Sequence, residues 1–358
     1  MQWHLYCRVV DNFGDIGVGW RLAADLAARG ERVRLFVDDS SALAWLAPRG
    51  AEGVELRAWS DAAATPADVI AELFGGGLPD QARGDDDSVG GRPPVRVNVE
   101  HLSAEAYVAR SHGLPSPRRL HDGRSVTTTW FFYPGFDEGT GGLIRERGVP
   151  LPYGGHVRDL AWLASLGAAT QPGERRAFVF CYENLALDAF LDALAVAPTL
   201  LLVAPGAASR QVAAVLGPTR MRGRLRAVDV PFLPQPDFDR LLAMSELNLV
   251  RGEDSLVRAV WAGAPFLWQL YPQDDSAHVA KLDAFLDRFL VGAPLPLQRS
   301  LRGLFGRWNG IGHGDDAMAA LGSTALAAWR LHCIAWRDGL AAQDDLVTRL
   351  IAFVKSRR

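Results

Sequence analysis

Two carboxylates stand where a glycine loop would ordinarily receive a phosphate. The segment Val9-Val10-Asp11-Asn12-Phe13-Gly14-Asp15-Ile16-Gly17 follows an apolar run at 3–10 and leads into an amphipathic run at 20–28. That pattern predicts a strand, a tight glycine turn and a helix, the place where many α/β proteins hold a ligand. Glycine loops built for phosphate supply bare N–H groups and often a lysine. Asp11 and Asp15 would repel phosphate. They suit a proton or a cation, which makes catalysis the leading question.

A second constellation has the opposite character. After an apolar strand pattern at 247–250 the chain reads Arg251-Gly252-Glu253-Asp254-Ser255 and then turns helical. Asp254 or Ser255 is expected to cap a helix that begins at Ser255. A helix start offers unpaired N–H groups and partial positive charge. Arg251 adds a fork of donors suited to phosphate, and Gly252 lets the backbone approach closely. Together they form a diphosphate clamp that needs no metal; a capped helix with a surface ion pair is the competing account. Phe232, Gln235 and Phe238 fall in a proline-punctuated loop at 231–238, where rings could stack on a base and the amide could read its edge. Tyr182 and Asn184 end a strand pattern on the same expected rim. Each aromatic taken singly reads as core packing, and their convergence favours a ligand. An aromatic strand running into the Gly-rich segment 134–146 is expected to form a mobile surface. No Ser/His/Asp order or metal-spaced His cluster stands out, and His278 reads as structural.

The elements that must position these groups alternate along the chain. Strand patterns at 3–10, 33–37, 69–73, 95–99 and 127–132 are separated by helical ones at 20–28, 40–46 and 103–109. A second alternation places strands at 177–182, 200–204, 225–228, 247–250 and 266–268, with helices at 185–194, 210–216, 237–244, 255–262 and 277–289. Two helical stretches, 323–337 and 341–355, close the chain. Strand–helix alternation predicts parallel sheets covered on both faces. The expected architecture is α/β: two doubly wound Rossmann-like domains facing across a cleft, as in glycosyltransferases of the B class. The expected boundaries are 1–155 for a first domain, 156–335 for a second, and 336–358 for a helix packing back on the first. The stretch 75–94, rich in Gly, Asp and Pro, reads as a surface loop.

At 358 residues with 49% apolar content the chain can bury two cores. A net charge of −3 gives no broad basic surface for nucleic acid. Three distant cysteines, Cys7, Cys181 and Cys333, read as buried thiols of a cytoplasmic protein. No apolar stretch approaches the ~18 residues that span a bilayer, so no membrane partner is expected.

Five segments in series resemble the bacterial protein-arginine rhamnosyltransferases that act on translation elongation factor P. They are residues 9–18 with Trp20-Arg21-Leu22, Asn98-Val99-Glu100-His101-Leu102-Ser103-Ala104-Glu105, Phe131-Phe132-Tyr133-Pro134-Gly135-Phe136, Arg251-Gly252-Glu253-Asp254-Ser255, and Tyr271-Pro272-Gln273. The resemblance covers nearly the whole chain. It implies dTDP-β-L-rhamnose as donor, an arginine of elongation factor P as acceptor, inversion at the sugar, and neither cofactor nor metal. It puts the catalytic Asp on Asp15, an essential Glu on Glu253 and a further important Asp on Asp11. Donor contacts would fall on Asn12, Phe13, Gly14, Tyr182, Gln235 and Arg251 through Ser255. The stretch around Asp85 is longer than usual for the family, and Gly19 is smaller.

An arginine acceptor poses a definite chemical problem. A guanidinium with pKa above ~12 is a poor nucleophile, and an ordinary Asp near ~3.9 cannot strip its proton in the ground state. Asp15 would hold one nitrogen, localise the charge and accept the proton as the new bond forms, while Asp11 would orient a second nitrogen or stabilise the loop. Glu253 would bond a sugar hydroxyl or support oxocarbenium charge. Two other readings compete: a same-fold glycosyltransferase with another donor or acceptor, and a non-catalytic nucleotide-sugar sensor. A nicotinamide enzyme is disfavoured, because the first loop lacks the three-glycine spacing.

Overall fold

The structure is a computed structural model that describes residues 1–11, 13–62, 66–79, 82, 92–119, 126–147, 149, 151, 160–271, 277–312 and 317–358. The chain divides into two compact units, Met1–Val149 with Ala341–Arg358, and Pro150–Leu340. Most of the Gly/Asp/Pro-rich stretch, and most of the expected boundary at 150–155, lie outside the described residues.

The first unit contains strands β1 (Gln2–Cys7), β2 (Arg32–Val37), β3 (Val54–Ala58), β4 (Val69–Leu73), β5 (Val95–Val99), β6 (Pro115–Arg119) and β7 (Val126–Phe132). Its helices are α1 (Gly14–Ala28), α2 (Leu43–Leu46) and α3 (Ala106–Ser111). The sheet runs β3-β2-β1-β4-β5-β7-β6. Only β6 is antiparallel to its neighbour. β6 was not expected from sequence; its prolines at 115 and 117 suit the edge position it takes. β1 is buried along almost its whole length, as a central strand covered on both faces must be. Ile16, Leu22, Ala23 and Leu26 of α1 join Leu5, Cys7, Leu73, Val97 and Phe132 of the sheet in one core.

The second unit repeats the plan. It holds α4 (Leu160–Ser165), β8 (Arg175–Val179), α5 (Leu187–Ala195), β9 (Thr199–Val203), α6 (Ala207–Leu216), β10 (Met221–Arg222) and β11 (Leu225–Asp229). There follow α7 (Gln235–Met244), β12 (Leu247–Arg251), α8 (Gly252–Ala262), β13 (Phe266–Gln269), α9 (Ala277–Phe289), α10 (Leu295–Trp308) and α11 (Ser323–Ala341). The sheet order is β10-β11-β9-β8-β12-β13. Helix α10 has no counterpart in the sequence pattern; Pro294 and Pro296 sit at its cap and first turn, where proline's missing N–H is harmless. The cysteines are all buried, and burial pushes the Cys181 thiol up to about 12.

The last helix, α12 (Leu346–Ser356), belongs to the first unit. Leu346, Val347, Leu350 and Val354 enter that unit's core. Asp345 caps it, accepting from Thr348 N at 2.9 Å. The helix begins five residues later than the sequence pattern placed it, since α11 runs on to Ala341. This segment also corrects one expectation. The Gly-rich segment after β7 is pinned rather than mobile: Arg349 donates to the carbonyls of Asp137, Glu138 and Thr140 at 3.0, 3.1 and 2.7 Å.

Counting only the parallel strands of each sheet, from its own first strand, both contain the order 3-2-1-4-5, as β3-β2-β1-β4-β5 and, with the antiparallel β10 left out, β11-β9-β8-β12-β13. The order reverses between β1 and β4 in one unit and between β8 and β12 in the other. Crevices at such switch points, beyond the carboxyl ends of the strands, are where open α/β sheets bind ligands.

Candidate functional residues, unit by unit

The first half lies beyond β1. The chain leaves Cys7, turns at Asp11 and enters α1 at Gly14, whose N–H bonds the Asp11 carbonyl at 2.7 Å. A Cβ at Gly14 would stand 2.8 Å from Asp11 Oδ2, so glycine lets the Asp11 carboxylate lie against the helix start. Asp15, in the first turn, is 8% exposed. Its Oδ2 accepts the N–H groups of Val10 and Asp11, both at 2.9 Å. Burial raises the proton affinity of Asp15; the two backbone bonds and the charge of His101 pull against that rise, and Asp11 adds to it. A carboxyl above the ordinary Asp range is a better proton acceptor than a solvated one. Phe13 stands edge-on to Trp45 at 5.0 Å and packs on the core, so its ring is used structurally. Asn12 lies outside the described residues.

The neighbouring strands bring up side chains that the sequence reading quoted without giving them a role. Phe74, just past β4, has φ +60° and stacks on the His101 ring at 4.8 Å with an 18° tilt. Asn98 Nδ2 bonds Glu100 Oε1 at 2.7 Å. Burial raises the proton affinity of Glu100, Glu72 adds to the rise, and His101 lowers it. His101 is therefore felt at both Asp15 and Glu100. Tyr133, past β7, stands edge-on to Tyr107 at 5.8 Å and feels the charge of Glu100. The signal in the sequence was position: Phe74, Glu100, His101 and Tyr133 each follow the carboxyl end of a strand. Carboxylates among aromatic rings match a guanidinium, which takes bidentate hydrogen bonds in its plane and ring contacts on its faces.

The second half lies beyond β8 and β12. Gly252, at φ +69°, turns the chain directly from β12 into α8. The helix therefore begins at Gly252 with Arg251 in the cap position, and neither Asp254 nor Ser255 caps it. Both lie in its first turns, with Ser255 buried. Trp268 Nε1 bonds the Gly252 carbonyl at 3.0 Å and fixes this turn. The Arg251 guanidinium lies over Tyr182 at 4.2 Å and Phe180 at 4.5 Å. Tyr182 meets Tyr271 edge-on at 5.3 Å, and Phe238 meets Phe180 at 6.0 Å. Arg251, Tyr182 and Phe238 thus belong to one aromatic row.

Gln235 and Phe238 are not in a loop: Pro236 is accommodated in the first turn of α7, which starts at Gln235. Gln235 is 6% exposed, whereas Phe232 is half-exposed in the loop before it. Asn184 does not face a ligand; its side chain bonds Ala186 N at 2.9 Å and the Trp308 carbonyl at 3.0 Å. Glu253 Oε1 accepts from Lys281 Nζ at 2.9 Å, and Asp254 lies 3.8 Å from Arg258. Arg258 is shared with Asp239 of α7 at 4.0 Å. Among the described residues no group of His, Cys, Asp and Glu could hold a metal ion, and no helix is long and apolar enough to cross a membrane.

Paired doubly wound sheets of this order are the plan of the B-class glycosyltransferases. The spinosyn rhamnosyltransferase SpnG, solved with thymidine diphosphate, shares the fold at TM-score 0.53 and 16% identity, over 98% of this chain and 99% of its own. A structure solved to explain EarP-mediated arginine glycosylation of translation elongation factor EF-P superposes at TM-score 0.66 and 30% identity, over 99% of both chains. The protein-arginine rhamnosyltransferase of Pseudomonas aeruginosa is 40% identical over 98% of each chain. That of Neisseria meningitidis serogroup B is 33% identical over 99% of this chain and 97% of its own. Residues 3–355 match the family described as Elongation-Factor P (EF-P) rhamnosyltransferase EarP. The chain belongs to that family, and it is an enzyme, a glycosyltransferase.

Proposed function

We propose that this enzyme transfers L-rhamnose from dTDP-β-L-rhamnose to one arginine side chain of translation elongation factor P, in the cytoplasm, with inversion at the sugar. The observation that carries the reading is Asp15, a carboxylate buried at a switch point with its proton affinity raised. The names of relatives up to 40% identical support the acceptor type. An acidic, ring-lined first half is the reverse of what a nucleotide diphosphate needs and the match of what an arginine needs.

In this reading the acceptor guanidinium enters beside Asp15, with Asp11 orienting a second nitrogen. One guanidinium nitrogen attacks the anomeric carbon. The bond from that carbon to the diphosphate oxygen breaks, and dTDP leaves with the electron pair. The proton of the attacking nitrogen passes to Asp15 as the new bond forms. Arg251 and the amino end of α8 offset the charge gathering on the leaving group, and no metal is needed for that task. Tyr182, Gln235, Phe232 and Phe238 hold the base and its sugar, with Gly252, Glu253, Asp254 and Ser255 lining the diphosphate and rhamnose. Phe13, Gly14 and Asn12 complete the donor contacts. The test is incubation with dTDP-rhamnose and elongation factor P, followed by intact mass. One deoxyhexose increment, mapped to an arginine, is expected; folded partners and intact donor with no increment would reject the reading.

A further inference from the structure

The clamp in the second half contains an electrostatic contradiction. A helix amino end attracts anions, yet the first turn of α8 already carries two of its own, Glu253 and Asp254. Two fixed carboxylates beside an incoming diphosphate would cancel much of what Arg251 and the helix dipole contribute. Each is met by a cation from another part of the unit. Arg258, one turn further along α8 and fully buried, stands 3.8 Å from Asp254. Lys281 reaches Glu253 from α9, 28 positions along the chain, with Nζ 2.9 Å from Oε1. The lysine and glutamate side chains are 24% and 20% exposed. A single part-buried pair of this kind adds modest stability, and its clearer consequence lies in where it puts charge.

We propose that Lys281 is a positioning residue for the transfer: it neutralises and orients Glu253, so that the first turn of α8 receives a nucleoside diphosphate. The ammonium does not touch the phosphate. It removes the repulsion that Glu253 would exert on the donor, while keeping that carboxylate in place for the sugar. With both acidic side chains countered, Arg251 and the helix dipole set the field. This inference rests on the donor reading above.

The experiment is calorimetric titration of dTDP into the full-length protein. Four forms are compared: wild type, Lys281→Arg, Lys281→Met, and Lys281→Met combined with Glu253→Gln. Wild type binds dTDP. Lys281→Met weakens binding about tenfold, as expected for one uncompensated charge near a dianion. Lys281→Arg stays close to wild type. The double variant regains most of the affinity, because the repelling carboxylate is gone, while its turnover stays low. That recovery is a response a merely structural lysine would not give. A double variant as weak as Lys281→Met overturns the inference, since the lysine would then contact phosphate itself. Lys281→Met binding like wild type overturns it as well. A wild-type protein that binds no dTDP overturns the donor reading, and this inference with it; the wild-type titration alone identifies that case.

Discussion

The two units repeat one strand order and place opposite chemistry at its switch point. Beyond β1 and β4 stand Asp15, Asp11 and the Phe74–His101 stack. Beyond β8 and β12 stand Arg251, laid over two rings, and a helix start whose carboxylates are countered by Lys281 and Arg258. Topology fixes where a ligand can sit, and the side chains on two short turns decide which charge is welcome there. The contrast extends to how each half treats an acidic group. Asp15 has no cation within an ion pair's reach among the described residues, and burial raises its proton affinity against the pull of the two backbone N–H groups that hold it. Glu253 is given a lysine partner. One carboxylate is prepared to take a proton, the other to keep still.

The sharpest way to break this division is Asp15→Asn. The amide oxygen can still accept the N–H groups of Val10 and Asp11, so the turn survives. Turnover should fall by about 10²–10⁴-fold, the range for losing a general base, with dTDP affinity unchanged by calorimetry. Stability should move the other way. The folded-state proton affinity of Asp15 lies above its unfolded value. Its contribution is therefore fully present below the unfolded pKa of ~3.9 and is lost as pH rises through the raised folded value. At neutral pH the folded protein holds a buried carboxylate at a loss, and Asn removes that loss. The melting temperature of Asp15→Asn should rise by roughly 1–4 °C at neutral pH, with the gain vanishing near pH 3. A variant with normal turnover would remove the proton acceptor from the first half altogether.

Arg251→Met tests the other half. The loss of a charge-assisted contact to diphosphate should weaken dTDP binding by about 10–100-fold, while acceptor binding, measured with elongation factor P alone, stays as it was. Arg251→Lys should recover only part of the affinity, because an ammonium lacks the planar fork and the flat face laid over Tyr182 and Phe180. Acceptor binding that fell in step with dTDP binding would mean that the two halves do not divide the substrates.

How much of this was legible beforehand depended on range along the chain. The turn from β1 to α1 was readable because an apolar run, two glycines and an amphipathic run are local signals. The Arg251 turn was readable for the same reason, although its helix starts three residues earlier than expected: Gly252 adopts a positive φ that no spacing rule announces. Three things were out of reach. Lys281 meets Glu253 across 28 positions of sequence, a pairing set by the tertiary fold and by no local pattern. The Gly-rich segment after β7 looked mobile because Arg349, about 210 positions on, supplies its donors. The proline-punctuated segment before α7 read as loop as far as Phe238 because proline is tolerated at a first turn, and a sequence does not print where a first turn falls.

The smallest expected effect on the reaction probes the edge of the first half. Phe74 keeps φ +60°, which costs a residue with a Cβ about 1–2 kcal/mol. Glycine at that position relieves the strain but removes a ring that packs against the core and holds His101, so Phe74→Gly should lower unfolding free energy by about 1–3 kcal/mol. The ring's loss should appear also as a rise of about three- to tenfold in KM for elongation factor P, as a loosened contact does, with dTDP affinity untouched. His101 is exposed, and its charge reaches both Asp15 and Glu100. The strained phenylalanine packs against the first unit's core and also stacks with an exposed histidine. That stack fixes where the imidazole stands relative to two carboxylates. An acceptor KM equal to wild type would confine the first half to the Asp11–Asp15 turn; a dTDP affinity that shifted would carry it beyond the acceptor.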